Sequence, residues 1–292
     1  MNKRMQIRSD AMLGYLLLIP SILLLFTIII APAVISVYTS FTNLDLVRIQ
    51  EQAFVGLSNY YAFLKDPIIA IGLQNSLVYV LGTVIIGFLS GLILALALNE
   101  NIRGREFFRT AVLLPWVVPS VVTALLFQWM YSPQFGPIDA LFMSVGLMKE
   151  PLLWSSPSYA MLSVILASVW RAIPFHALML LAGLQTIPTA LYEAATVDGA
   201  SARRKFWHIT LPSLKFVIAI DTTLQAIWSF QRVDIIYIMT EGGPVHETDV
   251  LALLVYKTAF LYTYMGYAAS MGVMMLFILL GLTIVYWRLL RV

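Results

Sequence analysis

The stretch LVYVLGTVIIGFLSGLILALAL, Leu77 to Leu98, runs for 22 residues without a charge. About 20 helical residues cross a hydrocarbon core of roughly 30 Å, so an apolar run of this length reads as a membrane span. The whole chain agrees with that reading. Of its 292 residues, 60% are hydrophobic and 11% charged, against about 25% charged in a soluble domain. The mean hydropathy is +0.87. The apolar runs are continuous and do not alternate, which excludes outer-membrane strands. In lipid a helix satisfies its own backbone groups, so each run is read as a helix. The fold class expected is an all-α integral membrane protein.

Working outward from Leu77–Leu98, six transmembrane helices are expected near residues 12–38, 77–98, 110–131, 158–183, 213–239 and 264–287. Lys and Arg gather beside the cytoplasmic ends of spans. Lys3, Arg4 and Arg8 precede the first span; Arg103, Arg105 and Arg109 follow the second; Arg203, Arg204, Lys205 and Lys215 follow the fourth; Arg288 and Arg291 follow the sixth. These are twelve of the 18 basic residues. The opposite segments hold Arg48, Lys65, Lys149 and Lys257 only. Both termini are therefore expected in the cytoplasm. The apolar start is too long for a secretory signal, so cleavage after the APA at Ala31–Ala33 is not expected.

Between the spans, residues 41–67 carry aromatic and turn residues that suit a small outer cap, and Pro133, Pro137, Pro151 and Pro157 break the next outer segment. Residues 249–263 are read as an outer interfacial helix, not a seventh span, with Lys257 interrupting the apolar run and Gly266 offering the break before the last helix. Pro115 and Trp116 are read as packing residues of span three in preference to a kink. There is no cysteine, which excludes disulfides and thiolate-held clusters. His176, His208 and His246 are too scattered for a metal site. The chain contains no G-x-x-x-x-G-K-[ST] run, so no phosphate cradle of that type is expected.

One polar island interrupts this oily chain: EAATVDGASARRKFWHITLP, Glu193 to Pro212. Thr189 after Pro188 is the expected N-cap of a short helix. Gly199 is its expected C′ residue, because glycine accepts the left-handed conformation. Ser201 then caps a second short helix, and Pro212 suits the first turn of the next span. On the residues alone two readings stand. The island is an amphipathic connector lying on anionic headgroups, or it is a docking surface in which small alanines allow close approach.

Glu193-Ala194-Ala195, three residues, Gly199, nine residues, Ile209, one residue and Leu211-Pro212 resemble the EAA motif of permease subunits in binding-protein-dependent ABC importers. FRTAVLLPWVVPSVVTALLFQWMY (Phe108–Tyr131), VWRAIPFHALMLLAGLQTIPTALYEAA (Val169–Ala195), IIYIMTEGGPVHETDVL (Ile235–Leu251), FVGLSNYYAFLKDP (Phe54–Pro67) and MGYAAS (Met265–Ser270) resemble its carbohydrate branch, and specifically the first permease of a pair. The resemblance runs from about residue 12 to the end. It implies one transmembrane domain over residues 1–292, with a cytoplasmic coupling loop at 184–212 that docks in a groove of an ATP-hydrolysing subunit. Glu193, Ala194, Ala195, Asp198, Gly199, Arg203, Ile209 and Pro212 are the implied coupling residues. The implied partners are a second permease, two copies of the ATPase and an extracytoplasmic binding protein. The cargo is a sugar-like small molecule, and no nucleic acid is involved. The chain itself holds no cofactor; ATP and Mg belong to the ATPase. The implied location is a bacterial or archaeal cytoplasmic membrane.

Polar groups inside spans are costly and usually face a bundle interior or a cavity. On span five Asp221, Gln225, Trp228 with Ser229, and Arg232 fall on one helical face. Span four offers Ser168, Arg171 with Ala172, and Phe175, with His176 beside them. These ten residues are the candidate substrate path, aromatic rings stacking on a sugar and amides or charges bonding its hydroxyls. Arg171 and Arg232 suit an anionic sugar derivative, since arginine bonds such groups in bidentate fashion. A structural alternative pairs Arg171 with Asp221 and Arg232 with Asp234 or Glu241. At the level of the whole protein, the alternative is an ion-coupled secondary transporter with Asp221 as its proton relay. An intramembrane enzyme lacks support, because no serine–histidine pair, metal set or paired carboxylates stand at suitable offsets.

Overall fold

A computed structural model describes residues 15–100 and 103–290; the expected basic residues Lys3, Arg4, Arg8 and Arg291 lie outside it. Among the described residues the chain is helical, and its one β-type pairing is the bridge between Thr42 and Phe54. Four helices are long and apolar enough to cross a membrane: α1 (Tyr15–Thr39), α3 (Pro67–Asn99), α7 (Ala160–Gln185) and α13, which follows the shorter α12 (Leu251–Leu261) and runs from Met265 to Leu290. The pair α4 (Arg105–Val117) and α5 (Ser120–Met130) makes a fifth if taken together, but it bends by 92°. The described residues form two compact units. One is the chain up to Lys65 with Val255–Met274; the other is Asp66–Leu254 with the segment from Met275.

In the first unit the segment expected as a cap is folded and packed. Helix α2 (Ser58–Lys65) is tied back when Asn59 Nδ2 donates to the carbonyls of Ser40 and Thr42 at 2.9 and 2.8 Å. Phe41 lies against Phe54 and Tyr60. The Leu46 N–H donates to the Thr263 carbonyl, and the Gly266 N–H to that of Leu44. A Cβ at Gly266 would strike the Thr42 carbonyl oxygen, so this glycine serves close approach. The break it was expected to supply comes earlier, at Thr263, whose φ is +66°. The Val47 N–H, and then the Thr263 hydroxyl, hold the Asp45 carboxyl below its usual range.

In the second unit α3 begins ten residues before the expected span. Asp66 caps it by accepting from the Ile68 N–H at 2.9 Å, and Pro67 occupies its first turn. Helices α3, α7 and α10 (Lys215–Phe230) pack together, and α11 (Asp234–Thr240) packs on α5 and α7. Without a hydrophobic force between helices in lipid, small residues set such contacts. Gly82 admits Ile165, with a would-be Cβ 2.8 Å from its Cδ1; Gly87 and Gly91 admit His176; Gly183 admits Leu214 and Val217.

Two expected spans are broken, each for a local reason. In span three Val118 precedes Pro119 and is extended, with φ −65° and ψ 127°. A proline disfavours the helical conformation in the residue before it and donates no hydrogen bond. Pro119 therefore kinks a span in which only packing was expected. Span five ends as α10 at Phe230, and Gln231 to Val233 separate it from α11. Outside the membrane helices α6 (Pro137–Ser144) holds the buried Asp139, which accepts from Trp154 Nε1 at 2.8 Å.

Gly91 gives the sharpest test of this packing. Its Cβ would fall on the Cβ of His176 and 3.0 Å from the Ala177 nitrogen. Gly91→Val is expected to destabilise the solubilised protein by about 1–3 kcal/mol, the usual cost of overpacking. Gly281→Ala meets open space and serves as the control. Equal melting temperatures for the two variants would refute the close approach of α3 and α7.

Candidate functional site: the polar loop and the intramembrane cleft

The polar island folds as a helical hairpin. Its first arm is α8 (Thr189–Val197), with Pro188 at the N-cap and Thr189 one position inside, so the expected cap is displaced by one residue. Pro188 supplies the extended entry (φ −60°, ψ 130°) without a side-chain bond. Asp198 is the C-cap and Gly199 follows at φ +74°, the left-handed elbow expected of it. Ser201 caps the second arm by accepting from the Arg204 N–H. That arm, α9, spans residues 202–213 and passes through a π turn at Phe206–Thr210. Leu211 N–H reaches back to the Phe206 carbonyl. The wider turn accommodates Pro212, which lacks an N–H and would crowd the carbonyl four residues back.

The two arms are fastened to each other. Tyr192 and Thr210 hydroxyls meet at 2.9 Å, and Lys205 Nζ donates to Thr196 Oγ1 at 2.9 Å. The hairpin is also rooted. Tyr192, Phe206 and Ile209 pack on a buried cluster of Leu92, Ala95, Leu98, Leu180, Leu181, Leu184, Ile187 and Leu214. What remains outside is Glu193, Ala194, Asp198, Gly199, Arg203 and Pro212, all exposed, with Ala195 and Ile209 partly buried. Val197 is 89% exposed and Trp207 54%. The outward face is thus small, charged and apolar together.

The ten intramembrane candidates separate into two sets. Ser168, Ala172 and His176 on α7, and Asp221, Gln225 and Ser229 on α10, form buried stripes at spacings of four. His176 Nδ1 and Asp221 Oδ2 are hydrogen-bonded at 2.6 Å, both side chains fully buried. Gln225 Nε2 donates to Ser229 Oγ at 3.3 Å, and Ser168 Oγ meets Tyr79 Oη at 2.7 Å. Asp221 therefore pairs with His176, not with Arg171 as the structural alternative had it.

Arg171, Trp228 and Arg232 line an open cleft of about 530 Å³ with Trp116, Gln231 and Asp234. Phe175 stands behind it, its ring centroid 4.8 Å from Trp228 and 6.5 Å from Trp116. Arg171 Nε donates at 3.4 Å to the Val118 carbonyl, which the Pro119 break leaves outside the helical ladder. Arg232 lies 3.9 Å from Asp234, and its buried Nε makes no protein hydrogen bond. The sequence reading missed Trp116, Gln231 and Val233, which join the cleft because spans three and five break there. Pro119 was the one local signal for that.

The chain matches the family described as "binding-protein-dependent transport system inner membrane component" over residues 84–291. It is 37% identical over 284 residues to the sulfoquinovosyl glycerol transport system permease protein SmoG of Agrobacterium fabrum, covering 97% of this chain and 92% of that one. It is 35% identical to the trehalose/maltose transport system permease protein MalF of Thermococcus litoralis (96% and 94% covered). Identity is 33% to the sn-glycerol-3-phosphate transport system permease protein UgpA of Agrobacterium fabrum (96% and 94% covered). A bacterial ABC transporter that imports the acidic polysaccharide alginate contains a chain of the same fold, with a TM-score of 0.80, 22% identity and 99% of both chains covered. The EAA hairpin is thus carried on the matching fold and inside the matched residues, and the chain belongs to the family of inner membrane components of binding-protein-dependent transport systems.

Proposed function

We propose that this chain is the permease half of an ATP-driven importer whose cargo is a sugar or sugar derivative delivered by an extracytoplasmic binding protein. The observation that carries the reading is the hairpin at residues 189–213. It is stapled across its arms, rooted in the membrane helices, and exposes Glu193, Ala194, Asp198 and Arg203 together. A folded element of this kind moves as one body when its docking groove moves. On this reading the whole chain is one transmembrane domain of six spans, counting α4–α5 as span three and α10–α11 as span five. Both termini and the hairpin face the cytoplasm, following the placement of Lys and Arg.

The partners are a second permease and two copies of an ATPase that binds ATP and Mg. The cargo class follows the relatives, which are named for sulfoquinovosyl glycerol, trehalose/maltose and sn-glycerol-3-phosphate transport. The substrate path runs by the cleft, where Trp116, Trp228 and Phe175 offer ring faces beside polar donors. The secondary-transport alternative is not favoured, because the matched family serves binding-protein-dependent transport systems.

Native purification from membranes, followed by mass spectrometry, is expected to recover a second EAA permease and a Walker-motif ATPase; recovery of the chain alone would sink the importer reading. Glu193→Lys should remain in the membrane but lose about 2 kcal/mol or more of ATPase docking, as for other interfacial charge reversals. Unaltered ATP hydrolysis by the purified complex would remove Glu193 from the coupling role. Trp228→Ala should assemble normally and slow uptake in vesicles by roughly tenfold, the loss typical of a truncated aromatic anchor. Wild-type uptake kinetics would instead place the path elsewhere.

A further inference from the structure

The cleft between α4, α7 and the α10–α11 break has a charge imbalance that the fold leaves open. Two guanidinium groups, Arg171 and Arg232, line it against a single carboxylate, Asp234. That carboxylate sits 3.9 Å from Arg232, beyond hydrogen-bond distance, accepts instead from the Ile235 N–H at 2.9 Å, and has a side chain 39% exposed. The Arg232 side chain is 14% exposed and its Nε has no protein partner. The Arg171 Nε makes one long bond, to the Val118 carbonyl. Each guanidinium carries five N–H donors, so most of the donors facing the cleft are uncommitted to acceptors among the described residues.

A surplus cation held inside a membrane protein is expensive and is retained where it meets a ligand. Arginine's planar fork fits oxyanions in bidentate geometry. Trp116 and Trp228 stand beside it as flat apolar walls, braced by Phe175. The volume, about 530 Å³, falls within the range of sites for small ligands. We propose that the cleft is a subsite for an oxyanion (a sulfonate, phosphate ester or carboxylate) carried on a sugar, with Arg171 and Arg232 holding the anionic group and the tryptophans stacking on the ring. The proposal rests on reading the chain as an import permease, and it narrows the cargo of that importer to acidic sugar derivatives.

The test uses the complex as it purifies from membranes, placed in nanodiscs of neutral phosphatidylcholine, with two probes: a hexose bearing a 6-sulfonate and the same hexose with its 6-hydroxyl. Quenching of tryptophan fluorescence reads binding directly, without the binding protein. The sulfonated hexose should bind roughly 10- to 100-fold more tightly, the worth of a charged hydrogen bond, and its affinity should weaken with salt. Arg171→Gln and Arg232→Gln should each weaken the sulfonated hexose far more than the neutral one and so abolish that preference. Arg171→Lys and Arg232→Lys should restore part of it, which separates lost charge from lost fold. Equal affinity for the two hexoses, or variants that weaken both alike, would overturn the proposal. Loss of the preference when the nanodiscs contain phosphatidylglycerol would also overturn it, assigning the arginines to lipid headgroups. These outcomes leave the importer reading standing, since co-purification of the ATPase tests that separately.

Discussion

The closest constraint in the structure is the His176–Asp221 pair. Two ionisable side chains meet at 2.6 Å with no exposed surface, in a part of the protein whose surroundings are helices and lipid. Removing one member of such a pair leaves a buried polar group without its partner, which costs about 1–3 kcal/mol. The pair therefore fixes the spacing of α7 and α10, and α3 has to make room for it. Gly87 and Gly91 do so, one turn apart on the face that meets the imidazole. Any side chain at Gly91 would push α3 off α7, and the leucine cluster one turn further along would open with it. The hairpin is rooted in that same cluster, so its position descends from this packing.

Much of this was legible in the sequence where the signal was local. Gly199, Ser201 and Pro212 announce the ends of two short helices, because each residue type has a specific backbone consequence at a specific position. The spans were legible because apolar length is a property of one segment. What resisted was pairing across segments. Asp221 on a helical stripe says that a partner faces it, but not which helix supplies the partner; arginine was the electrostatic guess, and histidine, fitted by two glycines on a third helix, is the partner found. Breaks inside spans were equally hard to read. Pro119 displaces Val118 from the helix, yet a proline in a membrane helix is often tolerated, since neighbours satisfy the freed carbonyl. Here Arg171 does that, and the arginine sits 53 residues away in sequence.

The two halves of the candidate path illustrate the same limit. Reading α7 as a single polar face joined Ser168, Arg171, Phe175 and His176. A helix turns 100° per residue, so residues at spacings of four form a narrower stripe than residues at three and four together. Ser168, Ala172 and His176 share one stripe and are buried; Arg171 and Phe175 share the next and face the cleft side. The division separates residues buried in the bundle from residues on the cleft side, and only packing could draw the line.

Along α10 the cleft lies at the far end from the hairpin, and along α7 it lies midway. From Arg171 to Gln185 the α7 axis rises about 20 Å, and α10 spans a similar distance back to Trp228. Both helices enter the hairpin directly, and both contribute walls to the cleft. They are joined between those ends by His176 and Asp221. A displacement of the hairpin therefore has a short physical route to the cleft, through two helices pinned to each other part-way along. A pinned pair cannot slide freely; it tilts, and a tilt that moves one end inward moves the other outward. The pin lies about 8 Å from Arg171 along α7 and nearer 14 Å from the hairpin end, so movement at the hairpin would arrive at the cleft reduced in amplitude. The His176–Asp221 bond thus joins α7 and α10 at a level between the hairpin and the cleft.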